Sequence, residues 1–172
     1  MGCDEFWEAA LTNNLSVNVT STWPAIVQGR TLIVIAQVTG RPSRVEWDFG
    51  DGTIITNVSY FGLGHAWTNV GDYPVTFTAF NAANPSGVST NLIVHVIPLV
   101  PPTLSVSGLS SNRFNMSFAG QPGIIYILEQ TPNLIPPAVW GTVTYLFGAG
   151  DILQATDTQA TNAMRFYRVR IQ

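Results

Sequence analysis

The segment Trp47-Asp48-Phe49-Gly50-Asp51-Gly52 decides the fold of the first half of this chain. Trp47 and Phe49 alternate with polar residues, which is typical of a strand that has one buried face. Asp51 and Gly52 follow directly, and because this pair tolerates positive φ it predicts a tight hairpin turn. The segment therefore predicts a strand with Trp47 in the core and a reversal of the chain immediately after it.

The same alternation recurs along the chain. Alternating runs lie at 15–20, 44–49, 73–79 and 113–118, and turn-forming residues lie at 50–52, 69–72, 84–87 and 120–123. Residues 30–38 are more continuously apolar and predict a central strand covered on both faces. Many short strands separated by turns favour β-sandwiches over βαβ units, so the predicted fold class is all-β.

A proline-rich break at Pro98-Leu99-Val100-Pro101-Pro102 interrupts this pattern. Prolines cannot join the interior of a sheet, and they favour an extended, stiff spacer. We therefore predict two tandem β-sandwiches, at 13–98 and 103–172, joined by a linker at 99–102. Residues 1–12 are predicted to be a leader or the end of a preceding domain.

The composition excludes several classes of partner. Only 10% of the 172 residues are charged and the formal net charge is −3, so no cluster of cations is available to neutralise nucleic-acid phosphates. The single cysteine, Cys3, excludes an internal disulfide, and no apolar run is long enough to predict a membrane span. A disulfide-free, weakly charged β-protein of this kind is predicted to be secreted or located at a bacterial cell surface.

Catalytic motifs are missing from the sequence, since it has no G-x-S-x-G, H-E-x-x-H, P-loop or C-x-x-C pattern. With one cysteine and two histidines, a zinc site or a thiol triad lacks partners. Acidic residues such as Glu46 and Asp72 are not distinguished from ordinary surface carboxylates. The chain is therefore predicted not to be an enzyme.

Two motifs, present in the right order, carry a family resemblance in the first half. The first motif is Trp47–Gly52, and the second is His65-Ala66-Trp67 followed by Gly71-Asp72-Tyr73-Pro74-Val75. Residues 15–96 thereby resemble the PKD (polycystic kidney disease) family, with Trp67 in place of a more common tyrosine. The resemblance implies an immunoglobulin-like sandwich in which the motif residues are structural. These residues are Trp47, Asp48, Gly50, Asp51, Gly52, His65, Trp67, Gly71 and Tyr73.

Three polar residues of these motifs admit a second role. The carboxylates of Asp48 and Asp51 are expected to cap their own turn, and the alternative is a Ca²⁺ site such as some PKD domains have. His65 is expected to be a hydrogen-bonded structural residue rather than a general base, because no nucleophile motif lies near it. No other cofactor is expected.

The second half resembles a β-rich C-terminal repeat of large secreted proteins from verrucomicrobial and planctomycete bacteria. The matching positions are Tyr126–Glu129, Leu134, Trp140, Asp157 and Arg165–Arg170. The resemblance implies a fibronectin-III-like sandwich, and we expect Trp140 in its core. Arg168 and Arg170 share one face of the last strand, where they are expected to pair with Glu129 across strands or, alternatively, to form a patch for an anionic ligand.

Three functions compete at this point. The favoured one is a non-catalytic structural or adhesive module of a larger protein, acting as a spacer or in contacts with a surface protein. The alternative is a carbohydrate-binding accessory module that binds polysaccharide, because sugar rings stack on exposed aromatic side chains. Trp23, Tyr60 and Phe61 are the candidates for such stacking, with packing against a neighbouring loop as the competing role of each. Self-association through an uncovered edge strand is the third hypothesis.

Overall fold

The computed structural model describes residues 14–56, 62–110, 112–160 and 164–172. Within these ranges the chain forms fourteen β-strands and no helix, so the described part contains no helix capable of crossing a membrane. The chain divides into two compact units, with the division between Pro98 and Leu99.

The described part of the first unit contains eight strands. They are β1 (Ser16–Ser21), β2 (Ala25–Val27), β3 (Leu32–Thr39), β4 (Arg44–Asp48), β5 (Ile54–Thr56), β6 (Leu63–His65), β7 (Gly71–Asn81) and β8 (Asn84–Ile97). One sheet has the order β1-β3-β6 and the other has the order β2-β8-β7-β4-β5. Neighbouring strands are antiparallel, except that β2 runs parallel to β8.

Alternating side chains of both sheets meet in one core. Val34 of β3, Trp47 of β4 and Phe77 of β7 are each 0% exposed, as the alternation of the sequence predicts for Trp47. Burying a large apolar side chain stabilises a fold by about 1.5–3 kcal/mol relative to leaving it exposed. The burial of these residues therefore holds the two sheets of the first unit together.

The predicted covering of β3 on both faces is wrong. Leu32 and Val34 are buried, but Ile33 and Ile35 between them are 44% and 40% exposed. A sandwich has two layers, so each sheet keeps one face that no second sheet covers. The apolar run at 30–38 therefore reflects a central strand with one open face.

The predicted turn at 84–87 is also wrong, because these residues belong to β8. The chain reverses earlier, at Ala82 and Ala83. The Oδ1 atom of Asn81 accepts the backbone N–H of Asn84 at 2.9 Å and closes this reversal. An Asx side chain therefore fixes the turn, and the Pro and Gly that follow it lie in the strand.

Parallel β2 joins the first unit at the end of β8. The backbone N–H of His95 donates to the carbonyl oxygen of Pro24 at 3.1 Å, and the N–H of Gln28 donates to that of Ile97 at 2.9 Å. These bonds close the register in which Ala25 pairs with His95 and Val27 pairs with Ile97. The last strand of the unit is therefore tied to its second strand.

The described part of the second unit contains six strands. They are β9 (Ser105–Ser110), β10 (Arg113–Ala119), β11 (Ile125–Thr131), β12 (Gly141–Phe147), β13 (Ile152–Asp157) and β14 (Phe166–Ile171). The sheet orders are β13-β10-β9 and β12-β11-β14. Met116 and Ala155 of one sheet pack with Leu128 of the other. The predicted fold class, two tandem β-sandwiches, is therefore confirmed.

The segment predicted as a linker, residues 99–102, groups with the second unit. The backbone N–H of Val100 donates to Oε1 of Gln121 at 2.7 Å. This bond satisfies a backbone N–H that would otherwise need a partner in a strand. It also anchors the proline-rich segment to the turn that follows β10.

Candidate functional site

Aspartate side chains hold the hairpin between β4 and β5. Oδ1 of Asp48 accepts the N–H of Gly50 at 2.8 Å, and Oδ1 of Asp51 accepts the N–H of Thr53 at 3.0 Å. Gly50 has φ 72°, and a Cβ placed there would lie 2.9 Å from Cδ of Pro74. Glycine is therefore required at this position for both its conformation and its close approach to β7.

His65 connects this turn to the aromatic core. Its Nε2 atom lies 2.7 Å from Oδ2 of Asp51, and its ring stacks on Phe49 with centroids 4.1 Å apart. Partial burial acts to raise the pKa of Asp51, but hydrogen bonds with His65 and Thr53 outweigh it and hold that pKa below its ordinary value. These contacts are those of a structural histidine.

Two further hydrogen bonds complete the motif region. The indole N–H of Trp67 donates to the carbonyl oxygen of Phe49 at 3.0 Å, and the hydroxyl of Tyr73 donates to that of Asn69 at 3.0 Å. A tyrosine hydroxyl bound to the backbone a few residues upstream is a tyrosine corner. Gly71 lies beside it, where an added Cβ would be 3.6 Å from the Tyr73 ring.

Gly52 has φ 91° with open space around its Cα, so only its conformation favours glycine. The residues that the structure describes contain no group of three or more His, Cys, Asp or Glu that could hold a metal ion. Asp48 and Asp51 each use an oxygen to cap the turn. The calcium hypothesis thus remains a prediction from the sequence.

The three aromatic residues predicted to bind sugar are not brought together in the described structure. Trp23 is half-buried and packs against the core of the first unit. The hydroxyl of Ser21 donates a hydrogen bond to the carbonyl oxygen of Trp23 at 2.7 Å. Tyr60 and Phe61 lie outside the described residues. Packing is therefore the role that the contacts of Trp23 favour.

In the second unit, one carboxylate pairs with two arginines. Glu129 on β11 is 6% exposed, and its oxygens accept the Nε–H of Arg168 at 2.7 Å and of Arg170 at 3.4 Å. The hydrogen bond from Arg168 lowers the pKa of Glu129 below its ordinary value, against the effect of burial and with a further contribution from Arg170. The predicted cross-strand pairing is confirmed.

The prediction that Trp140 packs in the core is wrong. Its half-buried ring lies beside the guanidinium of Arg168, with 4.2 Å from Cζ to the ring centroid. Val143 and Leu146 are the residues of β12 that pack against the core. These residues therefore fill the core without the indole. The indole is instead stabilised by a cation–π contact on the face of the β12-β11-β14 sheet that points away from the core.

Two further aromatic side chains, both exposed, lie on the face of the sheet that carries Trp140 and Arg168. Tyr145 and Phe147 are 64% and 54% exposed, and they pair with Ile127 and Ile125 of the central strand β11. Because side chains alternate along a strand, both point away from the core that Leu146 enters. We call Trp140, Tyr145 and Phe147 the aromatic row.

Sequence reasoning missed Tyr145 and Phe147 as candidates. The available signal was their spacing of two residues around Leu146. Spacing alone fails here because the register of β12 shifts by one residue at Val143, so Val143 and Leu146 face the core while Tyr145 and Phe147 face outward.

A second buried carboxylate, Asp157, ends β13 and is 4% exposed. Its Oδ2 accepts hydrogen bonds from Arg165 at 2.7 Å and from the Tyr167 hydroxyl at 2.9 Å, and its Oδ1 accepts the N–H of Gln159 at 2.8 Å. Burial acts to raise the pKa of Asp157, but these donors hold it below its ordinary value. Burial and the bond to Asp157 raise the pKa of Tyr167 to about 12. The group therefore acts as a structural tie between β13 and β14.

Comparison with protein families identifies the first unit. Residues 14–94 match the family model of the PKD domain. This match agrees with the motifs Trp47–Gly52 and His65–Val75, which predict a PKD domain in this part of the chain. PKD domains are typically extracellular, non-catalytic modules.

Several solved structures are similar to the chain at low identity. Fibronectin(III)-like modules of Clostridium thermocellum CbhA share 15% identity, with 90% of this chain and 85% of that chain covered and a TM-score of 0.44. Carbohydrate-binding modules of the β-sandwich superfamily share 12%, with 94% and 92% covered and a TM-score of 0.46. A two-domain fibronectin type III segment of chicken tenascin shares 11%, with 93% and 99% covered and a TM-score of 0.34. None of the curated proteins matches the chain.

Proposed function

We propose that this chain is a non-catalytic structural and adhesive module of a larger secreted or cell-surface bacterial protein. In this proposal the PKD unit acts as a spacer, and the second unit makes the adhesive contact. The observation that carries the proposal is the aromatic row, which lies on the outer face of a sheet.

The spacer role rests on how the first unit uses its aromatic residues. Trp47, Phe49 and Trp67 are each 0% exposed, and Trp67 and Tyr73 also donate hydrogen bonds to the backbone. Side chains committed to a core and its corners add rigidity and leave little for recognition of a ligand. A unit built in this way suits a passive, stable body.

The adhesive role rests on the opposite arrangement. Single exposed apolar residues are ordinary on protein surfaces, whereas a contiguous exposed set marks a binding site. Tyr145 and Phe147 are more than half exposed and adjacent on one face. Trp140, which directly precedes β12, contacts Arg168 of β14. Exposed aromatic residues next to arginines have the composition of binding surfaces.

The test is retention of the fluorescently labelled full chain on intact bacteria and on their isolated envelopes. We expect retention of the unaltered protein, and a loss of about tenfold in the Tyr145→Ala, Phe147→Ala double variant. The control is Ile152→Ala, which removes a 63% exposed apolar side chain from the other sheet of the same unit. Absence of retention, or equal retention by the double variant, would overturn the adhesive role of this face.

Carbohydrate binding through Trp23, Tyr60 and Phe61 is a separate hypothesis on the first unit. A Trp23→Ala variant in the same experiment tests the contribution of Trp23. Unchanged retention would remove Trp23 as a ligand-binding residue, in agreement with its packing against the core.

A further inference from the structure

We propose that the outer face of the β12-β11-β14 sheet binds a polysaccharide that carries carboxylate groups. This inference rests on the proposed adhesive function of the second unit and names the ligand class of that surface. The surface, which we call the outer face, consists of the aromatic row, Ile125, Arg168 and Arg170. Ile127 and Glu129 lie beneath it and are 3% and 6% exposed.

The strand register places two parallel rows on this face. Tyr145 pairs with Ile127, and Ile127 pairs with Arg170, so the three residues lie in line across the sheet. Two residues further along β11, Glu129 pairs with Arg168. Strands are about 4.8 Å apart, so the backbone of the arginine row runs roughly 10 Å from that of the aromatic row.

The aromatic row suits an extended polymer of sugars. Tyr145 and Phe147 are two residues apart on one strand, which separates them by about 6.6–6.8 Å along the strand. A shallow groove lies beside them, lined by Ile125, Tyr145, Leu146, Phe147 and Gln172. Flat apolar sugar faces stack on such rings, and a linear set of rings on an open sheet favours a linear ligand over a compact one.

The arginine row adds a preference for negative charge. The hydrogen bonds to Glu129 use the Nε atoms of Arg168 and Arg170, and the two side chains remain 46% and 51% exposed. Their terminal nitrogens are the donors that a ligand carboxylate would engage, because a guanidinium presents a planar fork that matches a carboxylate.

Charge complementarity points in the same direction. Two arginines against one glutamate give this cluster a net charge of +1, although the whole chain has −3. Glu129 also fixes both guanidiniums before any ligand arrives, which reduces the entropy that binding would otherwise cost. A neutral glycan would engage the aromatic row and leave the arginines unused.

A protein partner fits this face less well. Stable protein interfaces cover about 800 Å² on each partner, and although aromatic residues and arginine are enriched in them, glutamate is depleted. Here a buried carboxylate and two arginines occupy neighbouring positions on the central strand and one edge strand. The apolar residues form a narrow strip on the opposite side.

The experiment measures binding of the full chain to polygalacturonate and to the same polymer after its carboxyl groups have been reduced. The measurement is isothermal titration calorimetry in EDTA, at low and at physiological salt. We expect at least about tenfold tighter binding to polygalacturonate, since charge-assisted hydrogen bonds to carboxylate are lost in the reduced polymer.

Variants separate specific binding from general attraction between charges. Tyr145→Ala is expected to weaken binding by about three- to tenfold, and Arg170→Gln by about tenfold. Arg170→Lys is expected to fall between, because it keeps the charge and loses the planar fork. Ile152→Ala and Arg113→Gln, which change exposed residues of the other sheet, are matched controls expected to bind like the unaltered protein. Circular dichroism verifies that each variant is folded.

The outcomes distinguish this inference from the proposed function. Equal binding to both polymers would overturn the acidic ligand class, as would polygalacturonate binding that Arg113→Gln weakens as much as Arg170→Gln does. Absence of binding to either polymer, together with retention on bacteria that the Tyr145→Ala, Phe147→Ala variant loses, would overturn the polysaccharide and leave the adhesive function standing. Absence of retention in both experiments would overturn both.

Discussion

The two units of this chain place their acidic residues, and part of their aromatic residues, differently. The first unit buries its large aromatic side chains, among them Trp47 and Trp67, and keeps Asp51 on a surface turn. The second unit also buries Phe118 and Tyr126, but in addition it buries the carboxylates of Glu129 and Asp157 and exposes Tyr145 and Phe147. The comparison teaches that a sandwich with an aromatic core can also bury paired carboxylates and still present aromatic side chains on an outer face.

The largest expected effect is on the first unit, through Trp67→Ala. The change removes a fully buried indole and its hydrogen bond to the Phe49 carbonyl, so the free energy of unfolding of this unit should fall by about 3–5 kcal/mol. Hydrogen-exchange mass spectrometry in urea reads the two units separately. Peptides from β4 and β7 should lose protection while peptides from β11 keep it.

Trp140→Ala is the matched control, because the half-buried indole makes a solvent-accessible cation–π contact that contributes only about 0.5–1 kcal/mol. Equal losses for the two tryptophans would contradict the contrast between a core aromatic and an outer one.

The next effect is on the second unit, through Asp157→Ala. This change leaves the Arg165 guanidinium and the Tyr167 hydroxyl without their shared acceptor, and we expect a loss of about 2–3 kcal/mol in stability. Urea unfolding followed by exchange in β13 and β14 measures it. Asp151→Ala, an exposed residue close in sequence, should change stability by less than about 0.5 kcal/mol. If both variants behave alike, Asp157 is not a structural tie.

Acid should destabilise the second unit more than the first. The pKa values of Glu129 and Asp157 lie below their ordinary values of 4.5 and 3.8, so each folded carboxylate holds its proton less tightly than the unfolded one. Their stabilisation is complete above those ordinary values and is lost as the pH falls through the lower folded pKa values. Asp51 contributes in the same direction to the first unit, as a single group.

Hydrogen exchange between pH 6 and pH 3 tests this ordering, with Glu129→Gln expected to flatten the pH dependence in β11 and β14. Earlier loss of protection in the first unit than in the second would reverse the comparison.

A smaller effect is expected for Tyr73→Phe, which removes only the hydroxyl that donates to Asn69. A single hydrogen bond contributes about 1 kcal/mol, so the melting temperature of the first unit should fall by a few degrees in calorimetry. Tyr145→Phe in the second unit is the control and should leave its melting temperature unchanged. A shift as large for Tyr145 would argue against a specific role of the corner.

The smallest expected effect is that of calcium. Asp48 and Asp51 use their oxygens to cap the turn, so the melting temperature should be the same in millimolar Ca²⁺ and in EDTA. A rise with Ca²⁺ that Asp51→Asn abolishes would show that the turn is also a cation site.

The sequence predicts the first unit better than the second for a physical reason. The PKD motifs combine strand alternation with glycines and aspartates that dictate one local geometry, as Gly50 does against Pro74. Local rules therefore give the hairpin, the buried Trp47 and the family. They fail for the turn after β7, which lies at Ala82 and Ala83, before the predicted 84–87, and is closed by the side chain of Asn81.

In the second unit, the sequence predicts the pairing of Arg168 with Glu129. Both residues lie in strands with an alternating pattern, and their opposite charges attract each other across the sheet. It misplaces Trp140 and overlooks Tyr145. Both faces of β12 carry apolar side chains, so the choice of the inner face depends on how β11 and β12 are registered. Register is set by contacts distant in sequence, which a local pattern does not contain.

The parallel pairing of β2 with β8 has a mechanical consequence. When tension pulls β2 toward its N-terminal side and β8 toward its C-terminal end, the two strands are drawn in opposite directions along their axes. The bonds from His95 to Pro24 and from Gln28 to Ile97 are then loaded in shear and must yield together, whereas a hairpin pulled at its open end unzips bond by bond. Tension applied between β2 and the C-terminal end of β8 is therefore expected to meet more resistance than tension that opens a hairpin.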